Sequence, residues 1–189
     1  IAIIDPVAGS VVGSIPVKSD PNPIGISDDG TTLWVGIDGS GELQRVNLLT
    51  RTPGPAYNVG AGSFTGQAYA EDVEVLRGQP NVAVVSRRNA GFSPRHEGVA
   101  VYDNGVMRPT ITQNHTGSNR IELTDQPNVL IGYNNETTEF GTRRISIGAT
   151  GATQTVTVSN LISGFGTDIT YVDGLVYATT GKILDPTGP

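Results

Sequence analysis

The chain has 189 residues, with 25 Gly, 12 Pro, no Cys and a formal net charge of −6 from 12 Lys+Arg against 18 Asp+Glu. Its length suits one domain with a real core, and 37% apolar residues among so much Gly and Pro describe a globular, turn-rich protein. The acidic balance argues against a nucleic-acid footprint or an anionic membrane surface, the lack of Cys excludes a disulfide framework and thiol chemistry, and no apolar run approaches the roughly 18–20 residues of a membrane-spanning helix.

In chain order the elements read as short strands between turns, because no long stretch keeps a 3.6-residue apolar period free of Gly or Pro. Residues 1–17 read as the outer strands of a first unit. Residues 23–27 (PIGIS), the turn Asp28-Asp29-Gly30, then 33–37 (LWVGI), 42–47 and an edge segment through Val59 make a four-stranded unit over 23–59. The same order recurs over 72–112, with strands at 72–76, 82–86, 99–102 and 106–112, and over 120–158, with strands at 120–123, 129–133, 143–147 and 153–158. A last unit over 168–185 holds strands at 168–171, 175–179 and 182–185.

The spacing is regular. Pro23, Asp72, Arg120 and Asp168 stand 49, 48 and 48 residues apart, and Val35, Val84, Ile131 and Tyr177 stand 49, 47 and 46 apart. A β-sandwich also has strands every 8–12 residues or so. Recurrence of whole four-stranded units instead predicts an all-β propeller, about four blades of four antiparallel strands. Asp5-Pro6 and Asp185-Pro186 fall at the same point of the repeat, 180 residues apart. That phase reads as an arc of a ring of about seven or eight blades, whose open ends await missing blades or self-association.

Residues 3–17 (IIDPVAGSVVGSIPV) followed by 20–35 (DPNPIGISDDGTTLWV) resemble the YVTN-type β-propeller repeats of bacterial and archaeal surface proteins, relatives of the lactonase-like propellers. The likeness covers about the first fifty residues; later units match in period and strand pattern, with Arg-Gly-Gln-Pro and Asp-Gln-Pro in place of the Asp-Gly turn. It implies the propeller fold and a setting at the bacterial cell surface or outside the cell, with the periplasm as the alternative. It transfers no catalytic residue, since the repeat motif is structural.

Propeller geometry sorts the connections onto two rims. One carries short turns near 27–31, 76–81, 103–105 and 172–174; the other carries long polar connections at 58–70, 87–98, 113–119, 134–141 and 159–167. Loops longer than a turn requires are where function concentrates. The candidate interaction residues are therefore Arg87, Arg88, Arg95, His96, Glu97, His115, Asn119, Asn134, Asn135, Glu136 and Glu139. His96 and His115 with Glu97, Glu136 or Glu139 have the chemistry for a metal or for acid–base work, against the plainer reading that both histidines brace irregular loops. No H-E-x-x-H, phosphate loop or G-x-S-x-G is present.

The acids Asp72, Glu74, Glu122 and Asp168 fall on or beside the innermost strands, where the lactonase-like resemblance implies a divalent cation. Asp72, Glu122 and Asp168 are the candidate ligands for Ca²⁺ or another divalent ion. Pairing of Arg120 with Asp72 or Asp168 is the competing reading. The expected function is a non-catalytic surface scaffold binding protein or glycan at the long-loop rim, with no cofactor. A metal-dependent lactonase- or lyase-like enzyme and a protomer assembling by strand complementation are the alternatives.

Overall fold

A computed structural model describes residues 1–186 as seventeen β-strands in five antiparallel sheets, and no helix occurs among the described residues. The first sheet is a hairpin of β1 (Ala2–Asp5) and β2 (Ser10–Ser14). Three four-stranded sheets follow in simple meander order. They are β3 (Pro21–Ile26), β4 (Thr32–Ile37), β5 (Glu42–Asn47) and β6 (Thr52–Asn58); β7 (Ala68–Val75), β8 (Val82–Asn89), β9 (His96–Asp103) and β10 (Val106–Met107); and β11 (Arg120–Leu123), β12 (Val129–Tyr133), β13 (Gly141–Gly148) and β14 (Gly151–Ser159). The last sheet has β15 (Ile169–Val172), β16 (Leu175–Ala178) and β17 (Ile183–Leu184).

Turn chemistry sets these hairpins. Asp29 accepts hydrogen bonds from Ser27 Oγ, Thr31 N and Thr31 Oγ1, fixing the β3–β4 turn, while Gly30 takes the left-handed conformation at φ +67°. Asn104-Gly105 and Asp173-Gly174 both have two successive positive φ values, the geometry whose twist suits a two-residue hairpin.

The sheets stack face to face through their apolar sides. Trp34, Leu43 and Val59 of the second sheet meet Ala70, Val85 and Tyr102 of the third. Val84, Val99 and Val101 meet Ile121, Leu130 and Ile145 of the fourth, and Ile131 and Tyr133 meet Ile169 and Val176 of the fifth. The β1–β2 hairpin covers Leu33, Val35 and Val46 with Ile1 and Ile3. Trp34 is fully buried between these sheets, and its Nε1 donates to Pro80 O at 3.0 Å.

The first strands of successive sheets, β3, β7, β11 and β15, lie side by side. Gly25 permits the tightest approach there, since a Cβ on it would sit 2.5 Å from Val73 O. Acids near these strands link each sheet to the next: Asp28 accepts from Gly78 N at 3.0 Å, Asp72 from Ile121 N at 2.9 Å and Glu122 from Tyr171 N at 3.2 Å. Four-stranded meanders arranged this way, first strand innermost, make the all-β fold a β-propeller.

One strand is shorter than its sequence pattern. The repeat predicts a full fourth strand over 106–112, yet β10 ends at Met107. Arg108 turns back to Asp103 at 2.7 Å, and Pro109 has no N–H to continue the ladder. The chain then crosses to the fourth sheet, where Thr110 N donates to Thr150 O at 2.8 Å and Ala152 N to Thr110 O at 3.0 Å.

Candidate functional site: the long-loop rim

The long connections gather at one end of the stacked sheets over a layer of buried polar side chains. Arg95 is the hub of the first group. Its Nη2 lies 2.7 Å from Glu71 Oε1 and its Nη1 3.4 Å from Glu136 Oε1, while its backbone N–H donates to the Glu136 carboxylate at 2.8 Å. Asn119, fully buried, donates to Glu71 at 3.1 Å and to Glu136 at 3.3 Å. Four residues thus tie the third sheet to two loops of the fourth. Burial pushes the Glu71 carboxyl above its ordinary range, opposed by the charge of Arg95.

Glu71 is absent from the sequence-derived set, which names its neighbour Asp72. The β7–β8 register shifts between Ala70 and Asp72, and this bulge breaks the strict alternation used to assign faces.

The second group centres on Glu97. Its Oε2 accepts from Ser63 N at 3.1 Å and Ser63 Oγ at 2.9 Å, and its Oε1 accepts from Asn89. Arg87 beside it donates to Ala61 O and to Glu97 O. Arg88 points elsewhere, with Nη2 2.8 Å from Asp38 and its guanidinium 5.4 Å from the centre of the Tyr69 ring.

The histidines join through backbone, His115 N donating to His96 O at 2.7 Å. Their rings have separate partners. His96 is buried, with Nε2 accepting from Ser118 N at 3.3 Å, and His115 Nδ1 lies 3.4 Å from Thr116 Oγ1. Burial, with the charges of Arg143, Arg87 and Arg95, lowers His96 to about 3, so its ring is neutral at neutral pH. The Ser118 hydroxyl is directed at Gly132, where a Cβ would lie 2.1 Å from Oγ, and makes no nucleophile–base pair with His96.

In the β12–β13 loop, Asn134 closes a local turn by accepting from Glu136 N and Thr137 N at 3.1 Å and donating to Glu139 at 2.7 Å. Asn135 donates to Thr167 O at 3.0 Å, and Glu139 pairs with Arg143 at 2.9 Å. Most of the polar rim residues named from sequence therefore lie beneath the loops and hold them in shape.

What the rim presents outward is aromatic. Phe64 and Phe92, 54% and 39% exposed, stack with centroids 4.1 Å apart; Phe165, 65% exposed, meets Phe140 edge-on at 5.1 Å. These four are all the phenylalanines of the chain, and none lies in a strand. That placement is the sequence signal the polar residues obscured: the residue best suited to a core is confined to Gly-flanked loops.

The inner acids lie nearer the short-turn end. Glu74, Glu122, Asp28, Arg77 and Tyr171 line a cavity of about 200 Å³. Burial raises Glu74 to about 8 and Glu122 to about 7, each pushed further by neighbouring carboxylates; it raises Asp72 to about 6 against the opposing Ile121 N–H and Arg120. Asp168 accepts from Ile169 N at 3.0 Å and lies 3.5 Å from Arg120 Nε, the pairing weighed from sequence. Asp72 and Glu122 already accept backbone N–H groups of the next sheet, and no group of three His, Asp or Glu side chains able to hold a metal ion occurs among the described residues.

This geometry defines a class first: a β-propeller with one plain rim and one built-up rim. The solved structures agree on the fold. Hydrazine synthase from Kuenenia stuttgartiensis is similar over 95% of this chain and 47% of its own, at 16% identity and TM-score 0.63. A chain of the mitotic checkpoint complex is similar over 94% and 52%, at 10% and 0.69. A protein of unknown function from Desulfotomaculum acetoxidans is similar over 93% and 58%, at 12% and 0.65. This chain thus spans about half the length of these structural relatives, and at such identities the likeness is one of fold. No family model and no curated protein matches the sequence.

Proposed function

We propose that this propeller is a non-catalytic scaffold that binds protein through its long-loop rim. The observation that carries the reading is the exposed stacked pair Phe64–Phe92 with exposed Phe165, which packs on the partly buried Phe140, over a buried polar layer. Interface energy concentrates in aromatic anchors, and anchors on a preorganised support lose little entropy on binding. A similar chain in the mitotic checkpoint complex is in keeping with a binding role. Kinship with YVTN-type repeats, and with it a place at the bacterial cell surface, belongs to the same proposal and is supported by residues 3–17 and 20–35.

Selection of a displayed peptide library against the protein tests this reading. Enriched peptides that bind the wild type and lose binding to a Phe64→Ser/Phe92→Ser variant support a protein-binding rim. Enrichment that the double variant leaves intact, or binding of an oligosaccharide panel in place of peptides, would refute it.

A further inference from the structure

We propose that the cavity between β8, β9 and the loop at 59–67 is a binding site for a carboxylate on a short apolar stem, with Arg87 as its counter-charge. The cavity measures about 400 Å³, and its lining includes Arg87, Glu97, Ser63, Asn114, Met107 and Ile111. It deepens the rim reading by naming the group a partner presents; Ser63 on its wall directly precedes the exposed Phe64.

Two guanidinium groups in the described residues are buried, those of Arg143 and Arg87. Arg143 lies 2.9 Å from the Glu139 carboxylate. Arg87, 2% exposed, forms no ion pair: its Nη1 and Nη2 donate to the carbonyls of Glu97 and Ala61, and its Nε has no acceptor. A buried charge without a counter-charge is destabilising, and the unpartnered Nε–H leaves this guanidinium a donor for the oxygen of a carboxylate. Glu97 does not fill that role, because its carboxylate is turned to Ser63 and Asn89.

Gly60 lies beside the guanidinium with φ +103°, and a Cβ there would lie 3.6 Å from Arg87 Nη2 and 3.9 Å from Met107 Cε. Two features choose the ligand. Glu97, a second charge on the wall of the same cavity, opposes a doubly charged phosphate more strongly than a monoanion. Met107 and Ile111 on the walls call for a carbon stem behind it. A peptide's terminal carboxylate and a free aliphatic acid share this chemistry.

The experiment titrates the whole protein with butyrate, with a short peptide ending in Ala-Leu as the free acid, and with the same peptide as its amide, reading the backbone amide resonances of Ala61, Ser63 and Asn114. Both acids shift these resonances, and the amide does not. Tighter binding of the acid peptide than of butyrate identifies a peptide terminus as the source, whereas equal binding identifies a free acid. Met107→Glu, a change on an exposed wall that preserves the melting temperature, weakens the acids by about tenfold or more through like-charge repulsion. Equal shifts from acid and amide, no shift from either acid, or unchanged affinity in Met107→Glu would overturn the site. Should those results arise while library peptides still depend on Phe64 and Phe92, only the carboxylate site fails and the rim reading stands.

Discussion

Glu74 and His96 are two buried titratable groups with opposite consequences for stability. Glu74 is held at about 8, above its unfolded value, so the folded protein keeps a proton that the unfolded chain has released. Its stabilising contribution is complete below an unfolded pKa near 4.3 and is lost as pH rises through about 8. His96 is held at about 3, below its unfolded value near 6.5, so its contribution is present above that value and is lost as pH falls. Denaturant unfolding across pH should therefore show stability falling below about pH 4, as His96 takes up its proton, and falling again between about pH 6.5 and 8, as Glu74 loses its own. Glu74→Gln should flatten the fall between about pH 6.5 and 8 by on the order of 1–2 kcal/mol, allowing for its coupling to Glu122. His96→Gln should remove its share of the acid fall; curves for wild type and Glu74→Gln that run parallel through the neutral window would refute the assignment. Close packing at this scale is equally specific. A Cβ on Gly117 would lie 2.0 Å from the His96 ring, so Gly117→Ala should cost about 1–3 kcal/mol, measured by urea unfolding.

At the scale of elements, much was readable in the sequence because the turns are local. Asp28-Asp29-Gly30, Asn104-Gly105 and Asp173-Gly174 carry their own geometry, and the apolar alternation between them locates the strands, with most ends within two residues and several of those in the third sheet off by three to five. The buried polar layer was not readable. Glu71 is turned by a bulge, and Asn119, Asn135 and His96 are polar residues whose burial depends on partners 17 to 48 residues away. Loop residues rich in Asn, Thr and His look exposed until the sheets that cover them are in place. The crossing of Thr110 to the fourth sheet was hidden for the same reason. It yields its own prediction: Gly151 has φ +134° and would place a Cβ 1.9 Å from Thr110 O, so Gly151→Ala should lower stability by about 2 kcal/mol or more. Hydrogen exchange should then quicken at the Thr110 and Ala152 amides, while exchange confined to other strands would count against the bridge as a link between sheets.

On the scale of the whole molecule, the period of 46–49 residues stacks the sheets with their first strands innermost and sends short turns to one end and long loops to the other. Carboxylates that accept backbone N–H groups of the next sheet tie the inner strands together, while the loops of the long-loop end carry the variation in length. That division underlies the proposal that a partner docks on the long-loop rim. The most direct test takes a peptide selected against the wild type and measures its affinity by calorimetry for two double variants of matched, exposed apolar positions. Phe64→Ser/Phe92→Ser on the long-loop rim should weaken it by about 2 kcal/mol or more, whereas Ile26→Ser/Val172→Ser near the short turns should leave it within about 0.5 kcal/mol. Equal losses in both variants, or a loss only at the short-turn end, would contradict the account.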